Sequence, residues 1–229
     1  DWKLVEYVFE VWGRSLHPQT SARYASTLSK VFDHAKRAGW VLRNPVLEAR
    51  RPRVPTHKPD VPKRQAVQEA LEAAKKSDPM LHAYVLGLAS IGCRRGELLA
   101  LQVQDLDLED RVVTIRAAIS DGGPGIGIYY KPTKRADWRD VPITEQMAEV
   151  LGEIVGARQL AAGGVELDPE SFVFTESVDG STWLRPDSTS QRWLAARGKS
   201  KVTFAMLRRF VATELLDVTE GDYRTVASI

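Results

Sequence analysis

Two stretches near the start of the chain carry apolar residues three or four positions apart, which is the spacing of one helix face. The later stretch follows Pro18, which suits a first helical turn, and ends before Gly39, a common C-terminal stop. The pattern predicts two amphipathic helices that pack together as a small helical domain. Their predicted apolar positions are Tyr7, Val8, Val11 and Trp12 in the first helix, and Tyr24, Leu28, Val31, Phe32 and Ala35 in the second.

Residues 50–64 break this pattern and predict a linker. The segment holds four prolines among 15 residues, and most of its other side chains are basic. Spaced prolines favour an extended chain of about 3 Å per residue, so the segment could span roughly 45 Å. We therefore expect a basic strap between one domain over residues 1–49 and another over residues 65–229.

The pattern beyond the linker changes between helical and strand periodicity. An amphipathic helix comes first, and a second helix, apolar on all sides, begins at the Asp78-Pro79 cap and ends at Gly92. The β-branched residues 112–115 predict a strand, and residues 126–131 and 138–143 predict the two arms of a hairpin. The expected fold is mainly α with a small antiparallel β-sheet. Further predicted elements are a helix from Thr144, a short strand over residues 172–174, and helices around Trp193 and over residues 205–216.

Composition is that of an ordinary globular protein with a sizeable core, since 43% of the 229 residues are hydrophobic. The net charge of +2 hides an asymmetry, because residues 1–64 carry 13 Lys and Arg against 6 Asp and Glu, whereas residues 65–229 carry 19 against 24. This asymmetry indicates that a polyanion lies against the first part, and nucleic acid is the obvious candidate. No apolar run approaches the roughly 18 residues that cross a bilayer, so we expect no membrane partner. A single cysteine fits a reducing cytoplasm, which is the expected location.

The most informative stretch is Gly92-Cys93-Arg94-Arg95-Gly96-Glu97, where two arginines begin an otherwise apolar helix. A guanidinium at such a break suits a grip on phosphate or carboxylate, because it is always charged and offers a planar fork of donors. The alternative is a structural ion pair with Glu97 or another nearby acid. Cys93, the single cysteine, is expected to be a small buried hydrophobic residue.

Two other motifs resemble ligand sites but fail on their context. The glycines at 122–127 lead into a strand instead of opening a helix, so they predict a flexible loop and not a phosphate loop. The acidic residues Asp105, Asp107, Glu109 and Asp110 lack the turn glycine and distal glutamate of a calcium loop, which favours a solvated turn. Because the sequence also lacks a Cys/His cluster, we expect no metal site and no cofactor.

A second arginine pair lies within residues 203–213, again in an apolar helical pattern. Together with residues 92–101, the Asp-Leu-Asp-Leu that follows them and the basic hairpin that ends in Val-Pro-Ile, this stretch resembles the successive motifs of the tyrosine recombinases, the phage-integrase family. The stretch from Pro18 to Asn44-Pro45 is similar to the family's helical core-binding domain. The resemblance implies a short two-domain protein, with a helical DNA-binding domain over residues 1–49 and an α+β catalytic domain over residues 65–229.

The resemblance implies a role for each matched residue. Arg94 and Arg208 would be the family's two catalytic arginines, which grip the non-bridging oxygens of the scissile phosphate. Lys134, near the tip of the hairpin, matches the lysine that protonates the leaving 5′ oxygen, and Lys131 is the competing choice. Fixed cations stabilise the charge of a phosphoryl-transfer transition state, and a lysine can donate a proton. The implied reaction is site-specific DNA recombination through a 3′-phosphotyrosyl intermediate.

Two departures from the family pattern change what we expect of this chain. Ala205 occupies the position where the family has a histidine that helps to position and deprotonate the nucleophile. The family's Gly-His motif and nucleophilic tyrosine would come after residue 229, whereas Tyr223 precedes them and is expected to be a surface or packing residue. We therefore expect a catalytic domain that lacks its C-terminal end, in a chain that binds DNA without cleaving it. The alternative is a DNA-binding relative that keeps the clamp but has lost the chemistry.

Basic residues outside the motifs are the expected DNA contacts. The resemblance implies that the partner is a double-stranded attachment site in a bacterial host cell, and that a homotetramer assembles on DNA. The predicted DNA-binding residues are Arg23, Lys30, Arg50, Arg51, Arg53, Lys58, Lys63 and Arg64.

Overall fold

Pro18 begins a helix, as its sequence context predicts. In the computed structural model, which describes residues 1–55, 59–133 and 138–222, α1 spans Trp2–Ser15 and α2 spans Pro18–Arg37. Both helices belong to the first of two compact units, Asp1–Lys58, and the second unit is Pro59–Ile229. The two predicted N-terminal helices are therefore confirmed.

The first unit buries only part of the two predicted helix faces, because Trp12, Leu28 and Phe32 pack against its core whereas other predicted positions do not. Tyr7, Val11, Tyr24 and Val31 were expected at its apolar positions, but all four are exposed. The buried residues of α2 are instead small, which allows neighbouring segments to approach closely. Its core consists of Val5, Phe9, Ala25, Val46 and Ala49, with Ser21 and Ser29 of α2 also buried.

Asn44 fixes the segment that follows α2 against this core. Its side-chain amide donates to the Ser29 carbonyl oxygen at 3.0 Å and to Asp33 Oδ1 at 2.8 Å. Its side-chain oxygen accepts the Val46 N–H at 2.9 Å. Because Asn44 is itself buried, these hydrogen bonds offset the cost of removing its amide from water.

Helices surround a buried central helix in the second unit. The helices are α3 (Arg64–Ser77), α4 (Pro79–Ser90), α5 (Arg95–Leu99), α6 (Glu145–Ala161), α7 (Pro186–Ala196) and α8 (Phe204–Val218). Asp78 caps α4 by accepting the Leu81 N–H at 2.8 Å, as the sequence predicts. Helix α4 is buried on several sides and packs on α3, α6 and α8, so it anchors the core of this unit.

The described strands form two small antiparallel sheets. They are β1 (Leu106–Asp107), β2 (Val112–Ile115), β3 (Ala117–Asp121), β4 (Ile128–Pro132) and β5 (Arg139–Pro142), and the sheets are β1-β2-β5 and β3-β4. The predicted fold class, mainly α with small antiparallel β structure, is confirmed, with two sheets in place of one.

The predicted hairpin between residues 126–131 and 138–143 is wrong. β4 pairs with β3 and β5 pairs with β2, so the two predicted arms belong to different sheets. The turn that makes the hairpin is the glycine loop between β3 and β4, in which the Gly122 N–H donates to the Gly127 carbonyl oxygen at 2.8 Å. Gly123 adopts a φ of 82°, a left-handed conformation that favours glycine. The prediction of a loop that leads into a strand is thus confirmed.

Two smaller predictions are also wrong. Residues 172–174 form no strand, because Phe172 makes only a single antiparallel bridge, to Gln102, and Phe174 packs against Tyr84 in the core. Asp105 is not a solvated turn residue but is buried, and it forms an ion pair with Arg116, which lies between β2 and β3. A buried carboxylate needs such a partner to remain charged.

Candidate functional site

Arg94 stands at the junction between the central helix and a short second helix. After α4, Gly92 adopts a φ of 71°, and Arg94 then occupies the N-cap of α5. Its backbone N–H donates to Glu97 Oε2 at 2.8 Å and its Nη1 donates to Glu97 Oε1 at 2.7 Å, yet 68% of the side chain stays exposed. Glu97 therefore binds only one edge of the Arg94 guanidinium, and the rest of the guanidinium faces outward.

Glu97 binds a second arginine as well. Arg139, the first residue of β5, donates from Nη2 to Glu97 Oε2 at 2.6 Å, and the Glu97 side chain is only 3% exposed. Burial alone would raise the pKa of this carboxyl, but the hydrogen bonds from Arg139 and Arg94 hold the pKa below its ordinary value. Glu97 is therefore a charged carboxylate shared by two guanidiniums.

Arg208 approaches the same place from α8. Thr203 caps this helix by accepting the Met206 N–H at 3.3 Å, and Arg208 follows in the second turn, half-buried. Its Nη1 is buried without a hydrogen-bond acceptor among the described residues. Burial and the nearby charge of Arg94 lower the pKa of Arg208. A buried donor of this kind is stabilised by an anion.

Arg94 and Arg208 line one cavity of about 580 Å³. Arg95 and Arg197 also line it; Arg95 Nη1 donates to Ser190 Oγ at 2.8 Å and Arg197 Nη1 donates to the Val202 carbonyl oxygen at 3.1 Å. The described residues that line the cavity include four arginines and no carboxylate. Such a cavity suits an anion with several acceptor oxygens.

Ala205 lines this cavity one helical turn before Arg208. A methyl group can neither accept a proton nor donate a hydrogen bond to an anion. Position 205 therefore provides no general base beside the arginines of the cavity. Cys93, which precedes Arg94 and also borders this cavity, is fully buried. Burial, and then the nearby Glu97 carboxylate, raise the pKa of its thiol to about 12, so it is neutral at physiological pH.

The lysine that was predicted to act as a proton donor, Lys134, lies outside the described residues. The competing residue, Lys131, lies on β4 with its ammonium nitrogen 5.6 Å from the centre of the Tyr129 ring. The choice between the two lysines stays a prediction.

The predicted DNA-binding residues that the structure describes are exposed in both units. In the first unit, the Arg50 backbone N–H donates to Glu6 Oε1 at 2.8 Å, which fixes the start of the basic segment beside α1. In the second unit, Arg64 forms an ion pair with Glu214. Residues 50–55 and 59–63 contain no helix or strand, as predicted. The exposed residues are Arg23, Lys30, Arg50, Arg51, Arg53, Lys63 and Arg64, and Lys58 lies outside the described residues.

Sequence reasoning missed Arg139. The sequence pattern predicts only a hairpin arm here, but alternation along β5 places Arg139 on the same face as the buried Val141. A charged residue on the buried face of a strand needs a partner, and that signal could have been recognised. Glu97, by contrast, was identified in advance as a possible partner of Arg94.

The model of the Phage integrase family matches residues 63–229, which is most of the chain. The chain belongs to the phage integrase family. The resemblance stated from the sequence motifs is thereby confirmed, and the matched residues include the α5 and α8 arginines that line the cavity of this integrase-family protein.

Solved structures share the fold of this integrase-family chain. It is similar to the Tn1549 transposon integrase in complex with a circular intermediate DNA, with a TM-score of 0.74 and 17% identity over 97% of this chain and 74% of that one. It is also similar to a lambda integrase dimer bound to a COC′ core site, with a TM-score of 0.65 and 16% identity over 98% and 76% of the two chains. The XerA recombinase gives a TM-score of 0.55 and 22% identity over 94% and 74%. No curated protein matches the chain, and no described helix is long and apolar enough to cross a membrane.

Proposed function

We propose that this protein is a site-specific DNA recombinase of the tyrosine class, and that the Arg94–Arg208 cavity binds the scissile phosphate. The observation that carries the proposal is the convergence of two guanidiniums from α5 and α8 on one cavity that no described carboxylate lines. Similar solved proteins are integrases bound to DNA, which supports a DNA partner. The chain binds an attachment site in a bacterial cell and assembles on it as a homotetramer.

The chemistry follows from the charges in the cavity. A tyrosine phenolate oxygen attacks the phosphorus, the bond from phosphorus to the 5′ oxygen breaks, and Lys134 donates a proton to that leaving oxygen. Arg94 and Arg208 stabilise the extra negative charge on the non-bridging oxygens while the phosphorus is pentavalent. We assign the nucleophilic tyrosine to no residue between 1 and 229.

The basic residues of the first unit and the linker supply the rest of the proposed DNA interface. A DNA-binding domain over residues 1–49 and a strap over residues 50–64 together hold the duplex for a catalytic domain over residues 65–229. Lysines and arginines that neutralise phosphates release condensed counterions, so binding weakens steeply with salt. The exposed side chains of Arg50, Arg51 and Arg53 are suited to this role.

A second candidate function is supported by Ala205. A DNA-binding relative that has lost catalysis needs the arginine cavity for affinity but does not need a base beside it. A DNA duplex with a nick near the cleavage position, incubated with a form of the protein that carries the family's nucleophilic tyrosine, distinguishes the two functions. A covalent 3′-phosphotyrosyl adduct supports the recombinase, whereas tight binding without any adduct supports the non-catalytic relative.

The proposed phosphate grip is tested by Arg94→Ala, Arg208→Ala and the double variant. Each single variant should bind a fluorescent DNA duplex of mixed sequence about tenfold more weakly, because a charge-assisted hydrogen bond to phosphate is lost. The slope of log affinity against log salt should become shallower by about one. Because both arginines bind one phosphate, the salt slope of the double variant should be little shallower than that of either single variant.

The control is Lys76→Ala, which removes an exposed cation that does not line the cavity. Its affinity and slope should match those of the wild type. If both arginine variants also bind DNA with unchanged affinity and slope, the cavity does not bind a DNA phosphate and the proposed function is wrong.

The strap is tested by replacing Arg50, Arg51 and Arg53 together with alanine. The salt slope should fall by up to about three, since each arginine that contacts a phosphate contributes about one. Fluorescence anisotropy across a salt series, between about 50 and 200 mM, measures this slope. An unchanged slope would show that DNA lies elsewhere on the protein.

A further inference from the structure

Glu97 is the only carboxylate within ion-pair distance of either Arg94 or Arg139 in the described residues. Its Oε1 accepts from Arg94 Nη1 at 2.7 Å, and its Oε2 accepts from Arg139 Nη2 at 2.6 Å. Arg139 is 21% exposed, whereas Arg94 is 68% exposed and lines the cavity. One buried negative charge is thus divided between an inner guanidinium and an outer one.

We propose that Arg139 is a positioning residue that keeps Arg94 available for phosphate by sharing the charge of Glu97. The inference rests on the proposed function of the cavity and adds to it a residue that does not line the cavity itself.

The physical reason is competition for Arg94. If Glu97 had Arg94 as its single counterion, the buried carboxylate would attract the Arg94 guanidinium inward and would neutralise it. With Arg139 bound to Oε2, the group of Arg94, Arg139 and Glu97 keeps a net positive charge, and Arg94 presents the rest of its fork to the cavity. The same contact ties the start of β5 to α5, which fixes the direction of the Arg94 side chain.

Burial strengthens this arrangement. Glu97 is almost fully excluded from water, so its attraction for each guanidinium is screened less than at the surface. Arg208, whose Nη1 lacks an acceptor among the described residues, adds a further positive charge nearby. Removal of the Arg139 charge therefore leaves Glu97 to Arg94 alone and reduces the positive charge that Arg94 can direct toward an anion.

The proposal is tested with Arg139→Met and Arg139→Lys, each in the wild-type chain and in the Arg94→Ala background. Arg139→Met should bind the fluorescent mixed-sequence duplex about fivefold more weakly, with a shallower salt slope. In the Arg94→Ala background the same substitution should cause no further loss of affinity, because its effect passes through Arg94. Arg139→Lys keeps the positive charge and should therefore bind DNA with most of the wild-type affinity. If only the shape of the Arg139 side chain mattered, Arg139→Lys would bind DNA as weakly as Arg139→Met.

Arg116→Met is the matched control for loss of a buried ion pair. Arg116 is 19% exposed, pairs with the buried Asp105, and does not line the cavity. Thermal unfolding followed by circular dichroism should show a comparable drop in Tm for Arg116→Met and Arg139→Met, but only Arg139→Met should weaken DNA binding. If Arg139→Met does not fold, Arg139→Gln takes its place, because it removes the charge but keeps hydrogen-bond donors. The same loss of DNA affinity is then expected in the wild-type chain and no further loss in the Arg94→Ala background.

Three results would overturn the proposal: unchanged DNA affinity in Arg139→Met, a loss that persists in full without Arg94, or an equal loss in Arg116→Met. Failure of the proposed function would give a different result, because Arg94→Ala would then itself leave DNA binding unchanged.

Discussion

Replacing Glu97 with alanine should lower the free energy of unfolding by about 3–5 kcal/mol. The substitution removes the buried partner of Arg139, whose guanidinium is 21% exposed and would be left without a counterion. It also removes the acceptor of the Arg94 backbone N–H, which begins α5. Urea denaturation followed by circular dichroism measures the loss.

Glu149→Ala is the control for this experiment, because Glu149 is exposed on α6 and its removal should change the stability by less than about 0.5 kcal/mol. A loss below about 1 kcal/mol in Glu97→Ala would contradict the central structural role assigned to this carboxylate.

The pH dependence of the Glu97 contribution has a definite sign. The pKa of Glu97 is lower in the folded protein than its ordinary value of 4.5, so the ionised form stabilises the fold above that value. The contribution is lost as the pH falls through the folded pKa. The stability difference between the wild type and Glu97→Gln should therefore be largest near neutral pH and should narrow under acidic conditions.

Gly96→Ala should lower the free energy of unfolding by about 1–3 kcal/mol. Gly96 lies in α5, and a Cβ atom there would overlap the backbone carbonyl oxygen of Ile119 in β3. A backbone group cannot rotate aside as a side chain can, so α5 and β3 would have to separate. Because Arg94 is the N-cap of α5, the same substitution should also weaken DNA binding.

Gly156→Ala is the matched control for Gly96→Ala. Gly156 also lies in a helix, but a Cβ atom there would meet nothing within 4 Å. Alanine is the better helix former, so this variant should be unchanged or more stable by up to about 1 kcal/mol. Equal destabilisation by the two substitutions would show that the contact with Ile119 is not the cause.

Local signals in the sequence predicted most of the helices. Pro18 and Asp78-Pro79 mark the starts of α2 and α4 because a fixed φ and a side-chain cap act within one turn. The sequence of α4 is apolar on all sides, which predicted its burial, because a helix without a polar face has no side to present to water.

Strand pairing and the buried faces of the first unit could not be predicted in this way. Residues 128–132 and 139–142 each form a strand, but which partner they take depends on the glycine turn and on residues far apart in sequence. Likewise, Tyr24 and Val31 have the spacing of a buried stripe, yet the segment held by Asn44 packs on small residues of α2.

For the site, the sequence motifs identified Arg94 and Arg208, whose shared cavity depends on how α5 and α8 pack. Arg139 was missed because its partner, Glu97, lies 42 positions away in the chain. Long-range ion pairs of this kind follow from tertiary structure and not from local pattern.

The burial of Cys93 provides an internal probe of this region. Its thiol is fully covered and is kept neutral by a pKa of about 12, so a thiol reagent can react only when the junction between α4 and α5 opens. As the single cysteine, it gives one signal without any engineered label. The rate of its modification therefore reports the free energy of local opening beside the arginine cavity, and a DNA phosphate bound there should slow that rate.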